Sequence, residues 1–245
     1  MSTEDTNNKD NNKKSDKKGR KGKSSIEDIT ELVYKGIRSV NVKLILDSYQ
    51  KVLVKSLILS FHKIASDINQ EAMLKFQSLA KGKIYDLDTL NQIKGDFKKW
   101  FSEYFKEKRK IITDTLGSVV SDTMSVFLLG IYDNFFANYK NYLLKKVEGE
   151  PSFPNIPYIF QVRERGFEVD YNKRIITLKL KPYRDVQLKF FYGSFDNISH
   201  IIKYKRGFLT INEGLNGSYY AHISYSKEKK VRKKKAQVKA NEVKE

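Results

Sequence analysis

The chain has 245 residues, enough for one ordinary domain or two small ones, and 40% of them are hydrophobic, with 15 Phe and 15 Tyr to fill a core. The absence of cysteine excludes disulfides, thiol nucleophiles and cysteine-containing zinc sites. A formal charge of +18 points to anionic partners, nucleic acid first and an anionic membrane surface second.

In chain order, residues 1–25 hold no apolar side chain after Met1 and are expected to be a disordered basic tail. They carry eight Lys/Arg against four Asp/Glu, and residues 227–245 carry nine against three. Residues 26–226 therefore keep an excess of about +8, so the part that folds is itself basic. The hydrophilic start has no secretory signal. The apolar run Val119–Leu129 is broken by Asp122 and is too short for a bilayer. The expectation is a soluble, cytoplasmic protein.

Residues 26–40 contain the first expected strand, where Leu32, Tyr34 and Val40 alternate with Lys35 and Arg38. Over residues 41–147 the period predicts helices. Val42, Ile45, Tyr49, Val52, Leu53 and Leu57 follow helical spacing, and a second short helix is expected over Gln70–Ala80, stopped near Gly82. "DLDTL" opens another, with Phe97, Trp100, Phe101 and Tyr104 on one face. The longest pattern runs from Ile112 to Leu144, and its aromatic stripe (Phe127, Ile131, Phe135, Tyr139) reads as core.

Three of the four prolines, Pro151, Pro154 and Pro157, then fall within residues 148–157 behind Gly149. Their spacing would suit a docking ligand, but periodic elements lie on both sides, so the segment reads as a seam that stops the helix near Val147. Over residues 158–226 the period is two. Phe167, Val169 and Tyr171, then Ile176, Leu178 and Leu180, then Val186, Leu188 and Phe190 alternate with polar residues. "HIIKYK", "GFLTIN" and "SYYAHISYS" follow between turn signals. Five or six short strands are the pattern of a small antiparallel barrel or sandwich. A lone early strand cannot stand alone, so it is expected to join this sheet. The expected fold class is α+β: a small antiparallel β-barrel with an inserted α-helical lobe, flanked by disordered basic tails at residues 1–25 and 227–245.

Three stretches resemble the N-terminal half of TnpB (OrfB) proteins of insertion sequences, relatives of type V CRISPR effectors. They are "LVYKGIRSVNVKLILDSYQKVLVKSLILSFHKIA", then "FLLGIYDNFFANYKNYLLKKVEGEPSFPNIPY" with Phe135, Phe136, Tyr139, Gly149, Phe153 and Pro154, and the ending "LTINEGLNGSYYAHISYS". The similarity covers roughly residues 30–226. The proline-containing strand end usual in that family is missing at Val40–Asn41. The resemblance implies a wedge-like barrel and a helical recognition lobe that grip a guide RNA and read a motif beside a DNA target. The RuvC-like nuclease and zinc parts of that family have no counterpart in this sequence.

No chemistry competes with that reading. Asp170, Asp185 and Asp196 lie near turns without a shared motif, His62, His200 and His222 are scattered, and there is no P-loop or GxGxxG. No catalytic residue, metal site or cofactor is assigned, and the chain is not read as an enzyme. The β half does interleave bases and aromatics: Arg163, Arg165, Lys173, Arg174, Lys189, Lys203, Lys205 and Arg206, with Tyr171, Tyr192, Tyr204 and Tyr219. Basic side chains bind phosphates and aromatics stack on unpaired bases. Those eight bases, Tyr204 and Lys233 are the candidate nucleic-acid-binding residues, Lys233 within "KEKKVRKKK" (227–235), an arm or a solubilising tail. The function expected is non-catalytic binding of RNA or DNA, with a separately encoded nuclease half or self-association as further partners and no membrane. The alternative is a basic interaction or structural protein without specific nucleic-acid function.

Overall fold

The computed structural model describes residues 30–81, 84–180 and 184–232. The expectations for residues 1–25, for Gly82, for Lys233 and for the rest of the C-terminal tail lie outside the described residues. Tyr34–Glu228 form one compact unit; Thr30–Val33 and Lys229–Arg232 belong to a second, and both are strand.

The first strand, β1, runs Thr30–Ile45, beyond Asn41, where the spacing predicts a helix. The reason is local. Val40, Val42 and Leu44 are buried while Asn41, Lys43 and Ile45 are exposed, which is strand alternation. Helix α1 (Ser48–Ala80) starts only where a capping box permits: the Asp47 carboxylate accepts from Gln50 N at 2.7 Å, and Gln50 Oε1 accepts from Asp47 N at 3.1 Å. Its buried stripe begins at Leu53, and Tyr49 and Val52 are exposed. The separate short helix expected at Gln70 is the continuation of α1, whose Ala65, Ile68 and Ala72 stay on the buried face.

Helix α2 (Leu87–Leu116) opens on Asp86, whose carboxylate accepts from Thr89 N at 2.7 Å. This hydrogen bond holds the Asp86 carboxyl below the usual range. The long pattern from Ile112 is broken at Gly117, at φ 88° and ψ 158°, a conformation open to glycine. Helix α3 (Ser118–Leu143) follows. Phe135 and Tyr139 of its stripe are buried and Phe127 and Ile131 half-buried.

The proline segment has no regular structure and is held along α1. Asn69 Nδ2 donates to Pro154 O at 2.8 Å, and Phe153 packs 5.1 Å from Phe135 and 5.6 Å from Phe76. Each fully buried ring in this cluster contributes roughly 1.5–3 kcal/mol.

The remaining strands are β2 (Ile159–Arg163), β3 (Phe167–Asp170), β4 (Ile175–Leu178), β5 (Val186–Phe191), β6 (Lys205–Glu213) and β7 (Tyr219–Arg232). After a four-residue helix α4 (Asp196–Ser199), turns occupy the place of the strand expected at "HIIKYK", whose last residue opens β6, and "RG" lies inside β6 rather than between strands. The seven strands form one sheet in the order β2-β6-β7-β1-β5-β4-β3. The early strand thus sits among the later ones, with α1 to α3 between β1 and β2 in the chain. Helices α1 and α3 pack on β2, and Phe61 meets Phe160 edge-on at 5.9 Å.

The α+β class is correct; the closed barrel is not. The ladder stops at β2 and β3, which a 3₁₀ turn, Glu164–Gly166, joins in sequence. A 3₁₀ turn carries the backbone round a corner with i to i+3 geometry, and no ladder joins β2 to β3. The sheet rolls without closing.

Candidate nucleic-acid interface

The candidate basic residues fall into two groups. At the 3₁₀ corner, Arg163 ends β2 with its guanidinium 6.0 Å from the Phe208 ring. Arg165 lies in the turn, 4.0 Å from Asp122. Arg206, near the start of β6, lies 4.8 Å over the Phe167 ring and donates to Glu164 O at 3.3 Å. Arg206 is thus committed to holding the corner, while Arg165 stays exposed at the outer limit of an ion pair. Lys203 and Lys205 are exposed on either side of Tyr204, where the turns after α4 enter β6.

The second group lies around β5. Residues 171–174 form a turn between β3 and β4. The Asp170 carboxylate accepts from Lys173 N at 2.9 Å and faces Lys173 Nζ at 3.9 Å. Arg174 completes the turn at φ 56°, in the left-handed region. Its carbonyl accepts from Phe190 N at 2.9 Å, and its guanidinium lies 5.1 Å over Tyr192 and 6.0 Å over Phe191.

Strand β5 alternates. Leu188 and Phe190 are buried, while Gln187, Lys189 and Phe191 face solvent. Phe191 is 53% exposed. On the neighbouring strand β1, Lys43 is the register partner of Phe191 and Ile45 that of Lys189, and both side chains are exposed. Opposed side chains on one sheet face are neighbours about 5 Å apart at Cβ. A phenyl ring therefore stands in water with Lys43, Arg174 and Lys189 around it. Among the described residues none of these three cations has an ion pair.

Lys173, Arg174 and Lys189 are thus brought to one place; Lys43 and Phe191 are absent from the candidates that the sequence suggests. The signal for Phe191 is in "VQLKFF", where the phase that turns Val186, Leu188 and Phe190 inward puts Phe191 with Gln187 and Lys189. Lys43 is hidden by the helical spacing of residues 41–46. The aromatics expected on the basic face are mostly interior: Tyr192 and Tyr219 are buried and Tyr171 half-buried.

Three other candidate groups make contacts within the fold. The Asp185 carboxylate accepts from Lys179 Nζ at 3.1 Å. His62 Nδ1 lies 3.4 Å from Pro157 O. His222 sits between Asn41 Oδ1 at 2.7 Å and Asn212 Oδ1 at 2.9 Å, a polar link across β1, β7 and β6, and burial pushes its pKa down. A cleft of about 510 Å³ between α2 and α3 is lined by Lys98, Lys106, Arg109 and Arg163. Two of these four cations are matched: Arg109 binds Asp122 at 2.5 Å, and Lys98, with Lys94 beside the cleft, holds Asp133 at 2.7 and 3.1 Å. Burial opposes ionisation of Asp133, but the two lysine hydrogen bonds win and hold its carboxyl below the ordinary range. Among the described residues no three His, Cys, Asp or Glu side chains gather as metal ligands, and no helix is long and apolar enough to cross a membrane. No protein-family model matches this chain, and no curated protein matches it.

Proposed function

We propose that the chain is a non-catalytic nucleic-acid-binding protein whose rolled sheet and three long helices act as the wedge and recognition parts of a TnpB-type protein act, on guide RNA, target DNA or both. The observation that carries this reading is the gathering of Lys43, Arg174 and Lys189, without acidic partners among the described residues, on the solvent face of a chain with a formal charge of +18. A polyanion neutralises such a group and releases its own counterions. The resemblance supports the same partner, and it makes the cytoplasm the place of action and a separately encoded nuclease half, or a second copy, the companion.

The test is binding of a structured RNA and a DNA duplex across a salt series. Affinity should fall steeply and linearly on a log–log plot, and Lys43→Glu with Lys189→Glu should flatten the slope by about 2, one for each phosphate no longer neutralised. Absence of salt-sensitive binding at low salt would remove the reading and leave the alternative, a basic interaction protein, for which exposed Ile37 and Ile45 on β1 offer contact area.

A further inference from the structure

The three cations explain attraction to phosphate; they do not explain why a phenylalanine stands exposed among them. Strand β5 could bury it only by breaking the alternation that buries Leu188 and Phe190. Pairing of Phe191 with Lys43 of β1, and of Lys189 two residues earlier with Ile175 of β4, sets the side of the sheet on which the ring lies. Arg174 reaches the same ring from the turn, and the flanks are apolar, with exposed Ile45 and half-buried Ile175 as the register partners of Lys189.

We propose that Phe191 is a stacking platform for an unpaired nucleobase, with Arg174 over the adjoining aromatic surface and Lys43 and Lys189 on the flanking phosphates. This rests on the nucleic-acid reading above and narrows it to a single-stranded segment, of RNA or DNA. In a duplex the faces of the bases are already covered by their neighbours, and phosphate contact alone has no use for an exposed ring. A protein docked here would strip water from three cations and offer each no fixed countercharge unless it were itself acidic at all three points. A single strand supplies the π-face and the phosphates together.

The experiment uses the full chain and three labelled probes: oligo-uridine and oligo-thymidine of about twelve nucleotides, a length typical of one binding site, and a DNA duplex of similar length. Phe191→Ala is expected to weaken binding of the single strands by roughly fivefold to a hundredfold, the range measured for removal of one base–aromatic stack, and to leave duplex binding unchanged. Phe191→Leu, which keeps apolar area without a π-face, should behave as the alanine variant. Phe191→Trp should keep the affinity, and its fluorescence should be quenched on binding. Circular dichroism checks that each variant is folded. The two single strands decide between RNA and DNA.

If Phe191→Ala binds single strands as the parent does, or Phe191→Leu restores full affinity, the platform is overturned while the nucleic-acid reading stands. The platform is equally overturned if Phe191→Ala dissolves a parent dimer in light scattering without changing single-strand affinity. If the parent binds none of the three probes the platform falls, and if it also fails to bind the structured RNA the nucleic-acid reading falls with it.

Discussion

The hydroxyls of Tyr171 and Tyr225 share a hydrogen bond 2.7 Å long, although β3, just before Tyr171, and β7, which holds Tyr225, lie four places apart in the sheet. In a flat sheet four steps span about 19 Å. The bond therefore requires the sheet to roll until its β3 edge faces β7. Tyr225→Phe leaves the half-buried Tyr171 hydroxyl without this partner and should cost about 1–3 kcal/mol. Tyr171→Phe should cost a similar amount, and the double variant clearly less than the sum, because both single changes break one bond. Urea midpoints at constant m give these energies. Strictly additive losses would show that the pair does not hold the roll.

The same phenols make stability depend on alkaline pH. Burial raises the pKa values of Tyr171, Tyr132 and Tyr225, and Glu150, accepting the Tyr139 hydroxyl, adds to the effect of burial there. In the unfolded chain each phenol ionises near pH 10. A folded pKa above the unfolded one means that the native state holds the proton more tightly. The stabilisation is therefore complete below about pH 10 and is lost as pH climbs toward the folded values. Stability should stay flat from neutral pH to about 9 and then decline, with these four phenolates appearing in ultraviolet absorbance only on unfolding. Reversible titration of every tyrosine near pH 10 with the fold intact would contradict this.

Two glycines should respond to alanine in opposite directions. A Cβ at Gly166, in the 3₁₀ corner, would lie 2.2 Å from Val162 Cγ2 and 3.2 Å from both Leu180 Cδ2 and Val119 Cγ1. A branched valine pinned in β2 has no free rotation to give way, so Gly166→Ala should destabilise by about 1–3 kcal/mol. At Gly130, inside α3, a Cβ meets nothing within 4 Å, so Gly130→Ala should stabilise by about 0.5–1 kcal/mol through helix propensity. Thermal melting of the two variants against the parent reads both signs directly. A neutral Gly166→Ala would mean that the corner is looser than its contacts.

Much of this architecture is written locally. The strands at Phe167–Asp170, Ile175–Leu178 and Val186–Phe191 are legible because one face meets water and the other the core, which forces alternation. Residues 41–46 mislead because Val42, Ile45, Leu46 and Tyr49 also fit helical spacing, and only the Asp47–Gln50 capping box shows where the helix starts. The five residues of β2 follow directly on the proline segment and are too short to stand out. The open roll is not a local property at all. It depends on how Arg206 meets Phe167 and Tyr171 meets Tyr225, residues that no period connects. The site is half legible for the same reason: charge marks Lys173, Arg174 and Lys189, but the register that sets Lys43 beside Phe191 is a fact of strand pairing.

Arg174 separates function from stability. At φ 56° an arginine bears the left-handed penalty of about 1–2 kcal/mol that glycine escapes. It recovers about half of this through its place 5.1 Å over Tyr192, since a cation–π contact at an exposed site is worth about 0.5–1 kcal/mol. Arg174→Gly should therefore fold at least as well as the parent. If the guanidinium meets nucleic acid, the same change should weaken binding to single strands and lower the log–log salt slope by about 1, the signature of one phosphate no longer neutralised. Arg174→Lys should keep most of the slope while giving up the planar contact with the rings. Melting curves and salt titrations on the three proteins give the result. An Arg174→Gly protein with parental affinity and parental slope would show that the guanidinium serves the turn alone.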